Sequence, residues 1–201
     1  MIDHLVYGTS DLAATVDELG RRLGVSLTFG GQHLGLGTRN YLAALGNGAY
    51  LEVIGPDPDQ PAPDEPWPFD LSSPRLVTWA ARVPDLAAAL VRARSAGHDP
   101  GPALSGARTR ADGVRVEWQV AFNPAESEDG LVPFLIDWGS SRHPSQDAVA
   151  GVELLSLTGT HPEPDRVLAK LSALGEELPV TPGQPGLRAE LRTPAGDVVL
   201  T

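Results

Sequence analysis

One layout recurs three times along this chain, and it limits the fold more than any single residue does. Each copy opens on an apolar, strand-like run, reaches an Asp, continues as a helical stretch and stops at a Gly. The first copy runs Ile2 to Tyr7, then Asp11, Leu12 to Leu23 and Gly24. The second runs Leu76 to Ala81, then Asp85, Leu86 to Ala96 and Gly97. The third runs Val152 to Leu157, then Asp165, Arg166 to Leu174 and Gly175. Each Asp is placed to accept the orphan N–H groups of a first helical turn, and each Gly to end its helix in the left-handed conformation. His4, Thr78 and Thr158 all stand seven residues before their Asp, so register repeats as well as composition.

Turn signals divide the segment after each helix into short strands. In the first copy these are Val25 to Phe29, Arg39 to Leu45 and Ala49 to Ile54, with Gly46-Asn47-Gly48 as a hairpin turn. In the second they are a weak segment near Ala103, then Val114 to Phe122 and Leu131 to Trp138. In the third they are Leu178 to Thr181, Leu187 to Arg192 and Val198 to Thr201. Strand, helix and three strands, repeated, define an α+β architecture with mixed sheets. The units fall at 1–55, 75–139 and 151–201, with linkers at 56–74 and 140–150. Gly55 to Pro74 carries seven prolines beside Asp57, Asp59, Asp64 and Glu65, so both linkers are expected as surface loops.

Composition narrows the partners. A net charge of −11 argues against nucleic acid or an anionic membrane surface, both of which need clustered Lys and Arg. The absence of cysteine removes disulfides, Cys-ligated zinc, iron–sulfur clusters and thiol nucleophiles. The longest apolar runs, such as Leu86 to Val91, are far shorter than a bilayer span of roughly 18 residues. No basic region followed by an apolar one opens the chain, so a cytoplasmic location is expected.

Two strand residues stand out chemically. His4 sits mid-strand, and Glu52 lies within Tyr50-Leu51-Glu52-Val53-Ile54 of the same unit. A carboxylate in an apolar strand must face water, pair with a cation or bind a metal, because burying it alone is costly. Imidazole and carboxylate converging from two strands suit zinc, manganese, nickel or iron. Spacing alone leaves open a solvated face for Glu52 and a core position for His4. Val114 to Val120 alternates, making Trp118 a stacking platform or a core residue, and Glu117 a general base or a solvated side chain. Trp79 is expected against the helices. His33, His98, His143 and His161 stand beside Gly or Pro and read as surface residues. Gly35-Leu36-Gly37 lacks the flanking strand and helix of a dinucleotide fingerprint, and neither a nucleophile elbow nor a P-loop occurs.

Ile2-Asp3-His4-Leu5-Val6, the helix after Asp11-Leu12, Gly37-Thr38-Arg39-Asn40 and Tyr50-Leu51-Glu52-Val53-Ile54-Gly55 resemble a glyoxalase-like domain of the vicinal oxygen chelate superfamily. The Gly113 to Trp118 strand and Pro133-Phe134-Leu135-Ile136-Asp137-Trp138 resemble its second half, so the likeness covers residues 1 to about 140. The resemblance implies paired βαβββ modules curled into a half-open barrel, with helices on the convex face and a ligand groove within. It also implies a divalent metal on first and last strands, with His4 and Glu52 at the first-module ligand positions. Asn40 would look into the same groove. In the second module the His4 position is Thr78, and the Glu52 position falls at Ile136 or, one residue on, Asp137. A one-residue slip reverses the face, so register decides whether Asp137 is a third ligand.

Two functions are implied by that resemblance. One is a metal-dependent enzyme of lyase, isomerase or dioxygenase type acting on a small molecule, with Glu117 or metal-bound water moving protons. The other is a metal-free protein that binds or sequesters a small molecule against Trp118. Three half-barrel units cannot all pair within one chain, which suggests a homodimer.

Overall fold

The computed structural model describes residues 1–33, 35–61, 67–109 and 113–201. Residues 62–66 of the proline-rich linker lie outside the described residues. The first unit is β1 (Ile2–Gly8), α1 (Leu12–Leu23), β2 (Thr28–His33), β3 (Thr38–Ala44) and β4 (Tyr50–Pro56). The second is β5 (Arg75–Arg82), α2 (Leu86–Ser95), β6 (Ala103–Thr109), β7 (Arg115–Ala121) and β8 (Phe134–Asp137). The third is β9 (Glu153–His161), α3 (Pro164–Leu174), β10 (Val180–Pro182), β11 (Gly186–Thr193) and β12 (Gly196–Leu200).

Local chemistry starts and stops the helices largely as the repeat implies. Asp11 accepts from the Ala14 N–H and Asp85 from the Ala88 N–H, while Gly24 and Gly175 end α1 and α3 at φ 68° and 73°. The third start differs. Asp165 lies inside the first turn of α3, and Glu163 holds the cap position without a side-chain bond. Pro164 begins this helix instead, its fixed φ and missing N–H suiting the first helical position.

The first two units close into one barrel, ordered β1-β4-β3-β2-β6-β7-β8-β5. Within each unit the first strand lies parallel to the last, β1 on β4 and β5 on β8, and β1 and β5 join the units antiparallel. The other seam, β2 to β6, consists of Gln32 opposite Thr109 and His33 opposite Arg108. This short seam turns the expected half-open groove into a closed barrel. Outward side chains such as Leu5, Tyr7 and Trp79 pack under α1 and α2, and inward ones form separate clusters.

The third unit repeats the order of elements but not their pairing. Its sheet runs β10-β9-β11-β12, so its first strand is interior, whereas β1 pairs with the last strand of its own unit. It forms no half-barrel. Leu157, Leu187, Leu191 and Leu200 share one core with Leu5 and Trp79 on the outside of the barrel. Each such leucine contributes roughly 1.5–3 kcal/mol on burial. Backbone bonds add to this, from Leu76 N–H to Thr201 O at 3.0 Å and from Leu154 N–H to Leu45 O at 2.9 Å. The third unit is therefore not the unpaired half-barrel from which a homodimer was expected. No described helix is long and apolar enough to cross a membrane.

Candidate active site

Strand alternation aims His4 and Val6 of β1 into the barrel, beside Glu52 and Ile54 of β4. Asn40 on β3 and His33 on β2 complete a buried cluster. His4 Nε2 lies 3.5 Å from Glu52 Oε2, and His33 Nε2 lies 3.7 Å from Glu52 Oε1. The Asn40 Nδ2 group donates to Glu52 Oε1 at 2.5 Å and reaches His33 Nε2 at 3.2 Å. The opposite amide orientation would set oxygen against the carboxylate, so the network selects this one. His33 Nε2 is then an acceptor, and its Nδ1 donates to Thr38 Oγ1 at 3.0 Å. Burial is the largest influence on His33 and lowers its pKa; Glu52 opposes this, and Arg108 and His4 add to it. Neutral His33 fits that bonding.

Asp3 is the feature that alternation hides. A register shift between Ile2 and His4 places a β-bulge at Asp3, and a bulge re-aims side chains that would otherwise face away. The fully buried carboxylate collects four donors: His4 Nδ1 at 2.6 Å, His143 Nε2 at 2.9 Å, Trp138 Nε1 at 3.1 Å and Arg82 Nε at 3.3 Å. Burial alone would raise the Asp3 pKa. Hydrogen bonds from His143 and His4, together with their charges, overcome that and hold the carboxyl far below its usual range. Ionised Asp3 keeps the proton of His4 on Nδ1 and leaves Nε2 aimed at Glu52. Tyr50 stacks on the His4 ring, centroids 4.6 Å apart, and holds its plane.

Above this floor opens a cavity of about 370 Å³. Its walls are mainly apolar, with Ile54, Trp67, Phe69, Trp118, Phe122 and Phe134 prominent. His4, His33, Glu52 and Arg108 supply the polar surface. Arg108 also donates from Nη1 to the Gly30 carbonyl oxygen across the β2–β6 seam.

The residues expected from sequence divide by face. His4, Glu52, Asn40 and Trp118 meet inside the barrel, and Trp79 lies in the outer core. Asp137 faces away: its carboxylate accepts from Leu86 N–H at 3.1 Å and Gly139 N–H at 2.8 Å, at the start of α2. Ile136 takes the inward position on β8. Glu117 is exposed and pairs with Arg115 at 3.0 Å, away from the cavity. The four histidines read as surface residues are all buried: His33, His98, His143 and His161 are at most 7% exposed. Described parts of both linkers also pack on the barrel. Trp67 and Phe69 wall the cavity, and the 140–150 segment lays His143 and Pro144 against the barrel and bonds Val149 to Ala44 and Thr28. Sequence reasoning missed Asp3, His33, Arg108 and His143. The Gly30-Gly31 pair was a signal for His33, since the second bulge falls there and sets its face.

A metal can be tested against these donors. Catalytic metal sites commonly use three protein ligands and keep a position open. His4 Nε2 and Glu52 Oε2 supply two. The Asn40 amide occupies both Glu52 Oε1 and the His33 lone pair, and the inward residues of β8 are Phe134 and Ile136. Among the described residues no three His, Cys, Asp or Glu side chains are grouped to hold a metal. The donor set does not fit a resident divalent ion.

Two βαβββ units closing one eight-stranded barrel are consistent with the glyoxalase-like class of fold. A family model described as a glyoxalase-like domain matches residues 2–175, and the chain belongs to that family. A Staphylococcus aureus protein described as hypothetical superposes with a TM-score of 0.65 at 14% identity, covering 98% of this chain and 83% of that one. Methylmalonyl-CoA epimerase from Mycobacterium tuberculosis gives a TM-score of 0.42 at 21% identity, covering 68% of this chain and 86% of its own. A variant of the Streptomyces coelicolor methylmalonyl-CoA epimerase, in complex with 2-nitronate-propionyl-CoA, gives 0.45 at 18% identity, covering 71% and 96%. No curated protein matches the chain.

Proposed function

We propose that the barrel cavity binds a small, largely apolar molecule and that His4 exchanges a proton with its polar end. The observation that carries this reading is the buried Asp3–His4 contact of 2.6 Å at the floor of an apolar cavity. Asp3 accepts the Nδ1 proton, orients the ring and stabilises the imidazolium that forms when Nε2 takes a proton. Glu52, 3.5 Å from Nε2, faces the same space and receives or returns that proton. The surrounding aromatic walls exclude water, which strengthens each of these interactions. A metal-dependent version would need ligands beyond His4 and Glu52, and the proton transfer requires none.

Three of the four tryptophans, Trp67, Trp118 and Trp138, line the cavity, so ligand entry is read by their fluorescence. A screen of small apolar compounds should yield hits that quench the wild type. Hits carrying an activated C–H should exchange that hydrogen with deuterated solvent in wild type and not in His4→Gln. Hits bound equally by both proteins with no exchange in either would favour simple sequestration, the reading that the aromatic walls alone support. Near-stoichiometric metal in untagged protein, lost in a folded His4→Ala Glu52→Ala double variant, would overturn the metal-free reading.

A further inference from the structure

The Glu52 carboxylate stands at the floor of the cavity, and that decides what the ligand can present to it. His4 spends Nδ1 on Asp3, and its Nε2 faces Glu52 Oε2 at 3.5 Å. His33 spends its N–H on Thr38, and its Nε2 accepts from Asn40. Asn40 spends Nδ2 on Glu52 Oε1, which leaves Glu52 Oε2 turned toward the His4 imidazole. Glu52 Oε2 therefore stands at the cavity floor as a carboxylate acceptor that takes no hydrogen bond from a described residue. One O–H or N–H of a ligand satisfies that oxygen, whereas a ligand carboxylate would add negative charge against Glu52.

The walls set the rest of the molecule. Phe69, Phe122, Phe134 and His4 form a run of ring contacts at 5.2, 6.1 and 5.4 Å between centroids. Trp118 lies 6.2 Å from His33 on another side. Ring edges and faces on several sides suit a planar aromatic body. Resting on the small-molecule reading above, we propose that the cavity selects an uncharged aromatic molecule whose buried end is a hydroxyl. The corresponding carboxylate is discriminated against. Arg108 also lines the cavity, with Nη1 committed to Gly30 O, and it makes anion capture the competing outcome.

Three probes sharing one body separate these cases: 4-propylphenol, propylbenzene and 4-propylbenzoate, titrated calorimetrically into the full chain at pH 7. The phenol should bind about tenfold more tightly than propylbenzene, the scale of one hydrogen bond to a charged acceptor, and the benzoate more weakly than either. Glu52→Gln supplies the second readout. The new amide must keep its oxygen on Asn40 Nδ2, so it turns an N–H toward the cavity. The advantage of the phenol over propylbenzene should then fall to about threefold, and the benzoate should gain on both. Propylbenzene binding as tightly as the phenol in wild type would show that the floor does not select, and overturns the proposal. Benzoate binding as tightly as the phenol would hand the floor to Arg108 and overturns the proposal equally. If none of the three binds, the small-molecule reading itself fails, and this inference with it.

Discussion

Replacing Asp3 by Asn tests the centre of the structure without changing its shape. The carboxylate takes bonds from His4, His143 and Trp138 and an ion pair from Arg82, all within 2.6–3.3 Å, and no part of it reaches solvent. An Asn keeps one oxygen and turns an NH₂ toward donors that are themselves N–H groups. At least one of the four is left facing a donor, and the Arg82 charge loses its partner. Breaking a buried charged pair from one side costs about 3–5 kcal/mol. Because Arg82 is partly exposed and rehydrates, the lower end applies, about 3 kcal/mol. For a chain of this size that is a fall in Tm of roughly 6–12 °C. The assay is urea and thermal unfolding followed by circular dichroism at pH 7. The pH dependence gives an independent check. The folded pKa of Asp3 is depressed, so its contribution is complete above the unfolded carboxylate value, near pH 4, and is lost as pH falls toward the folded value. The gap between wild type and Asp3→Asn should narrow below about pH 4. A variant within 1 kcal/mol of wild type at pH 7 would refute the reasoning, because a carboxylate bonded as described cannot be that cheap to lose.

Other expectations are simpler. Gly130→Ala should destabilise by about 2–3 kcal/mol in urea unfolding: Gly130 has φ +89°, and a Cβ there would run into the Val77 carbonyl oxygen. Asp137→Ala removes the acceptor for Leu86 N–H and Gly139 N–H and should cost about 1–2 kcal/mol, with the affinity of any cavity ligand unchanged. A loss of ligand affinity in that variant would show that Asp137 reaches the cavity after all.

Strand parity made much of the site legible. His4 and Glu52 sit mid-strand in apolar surroundings, where alternation gives each one face and burial demands a partner for Glu52. The clean alternation of β7 gave Trp118 a face but left open whether it lines the cavity or sits in the core, and the fold places it in the cavity wall. The failures share one physical cause. Bulges at Asp3 and Gly30 break the period of two, so the faces of Asp3 and His33 could not be counted along the chain. His143 and Arg108 come from a loop and from the seam strand. Asp137 depended on a single step of register, and β8 settled it by turning Ile136 inward.

The sequence by itself determined the local structure, because caps, left-handed glycines and apolar runs act over a few residues. Asp11 and Asp85 start α1 and α2, Gly24 and Gly175 end α1 and α3, and the order of strand, helix and three strands holds in all three units. Only the tertiary structure decided how those like units pair. Two of them close one barrel, while the third takes a different strand order and covers the outside. That choice is made by which apolar faces can bury one another, and those contacts join residues far apart in the chain. The same long-range packing brings Arg82, Trp138 and His143 onto Asp3, and so converts a histidine and a glutamate on neighbouring strands into an oriented pair at the floor of a cavity.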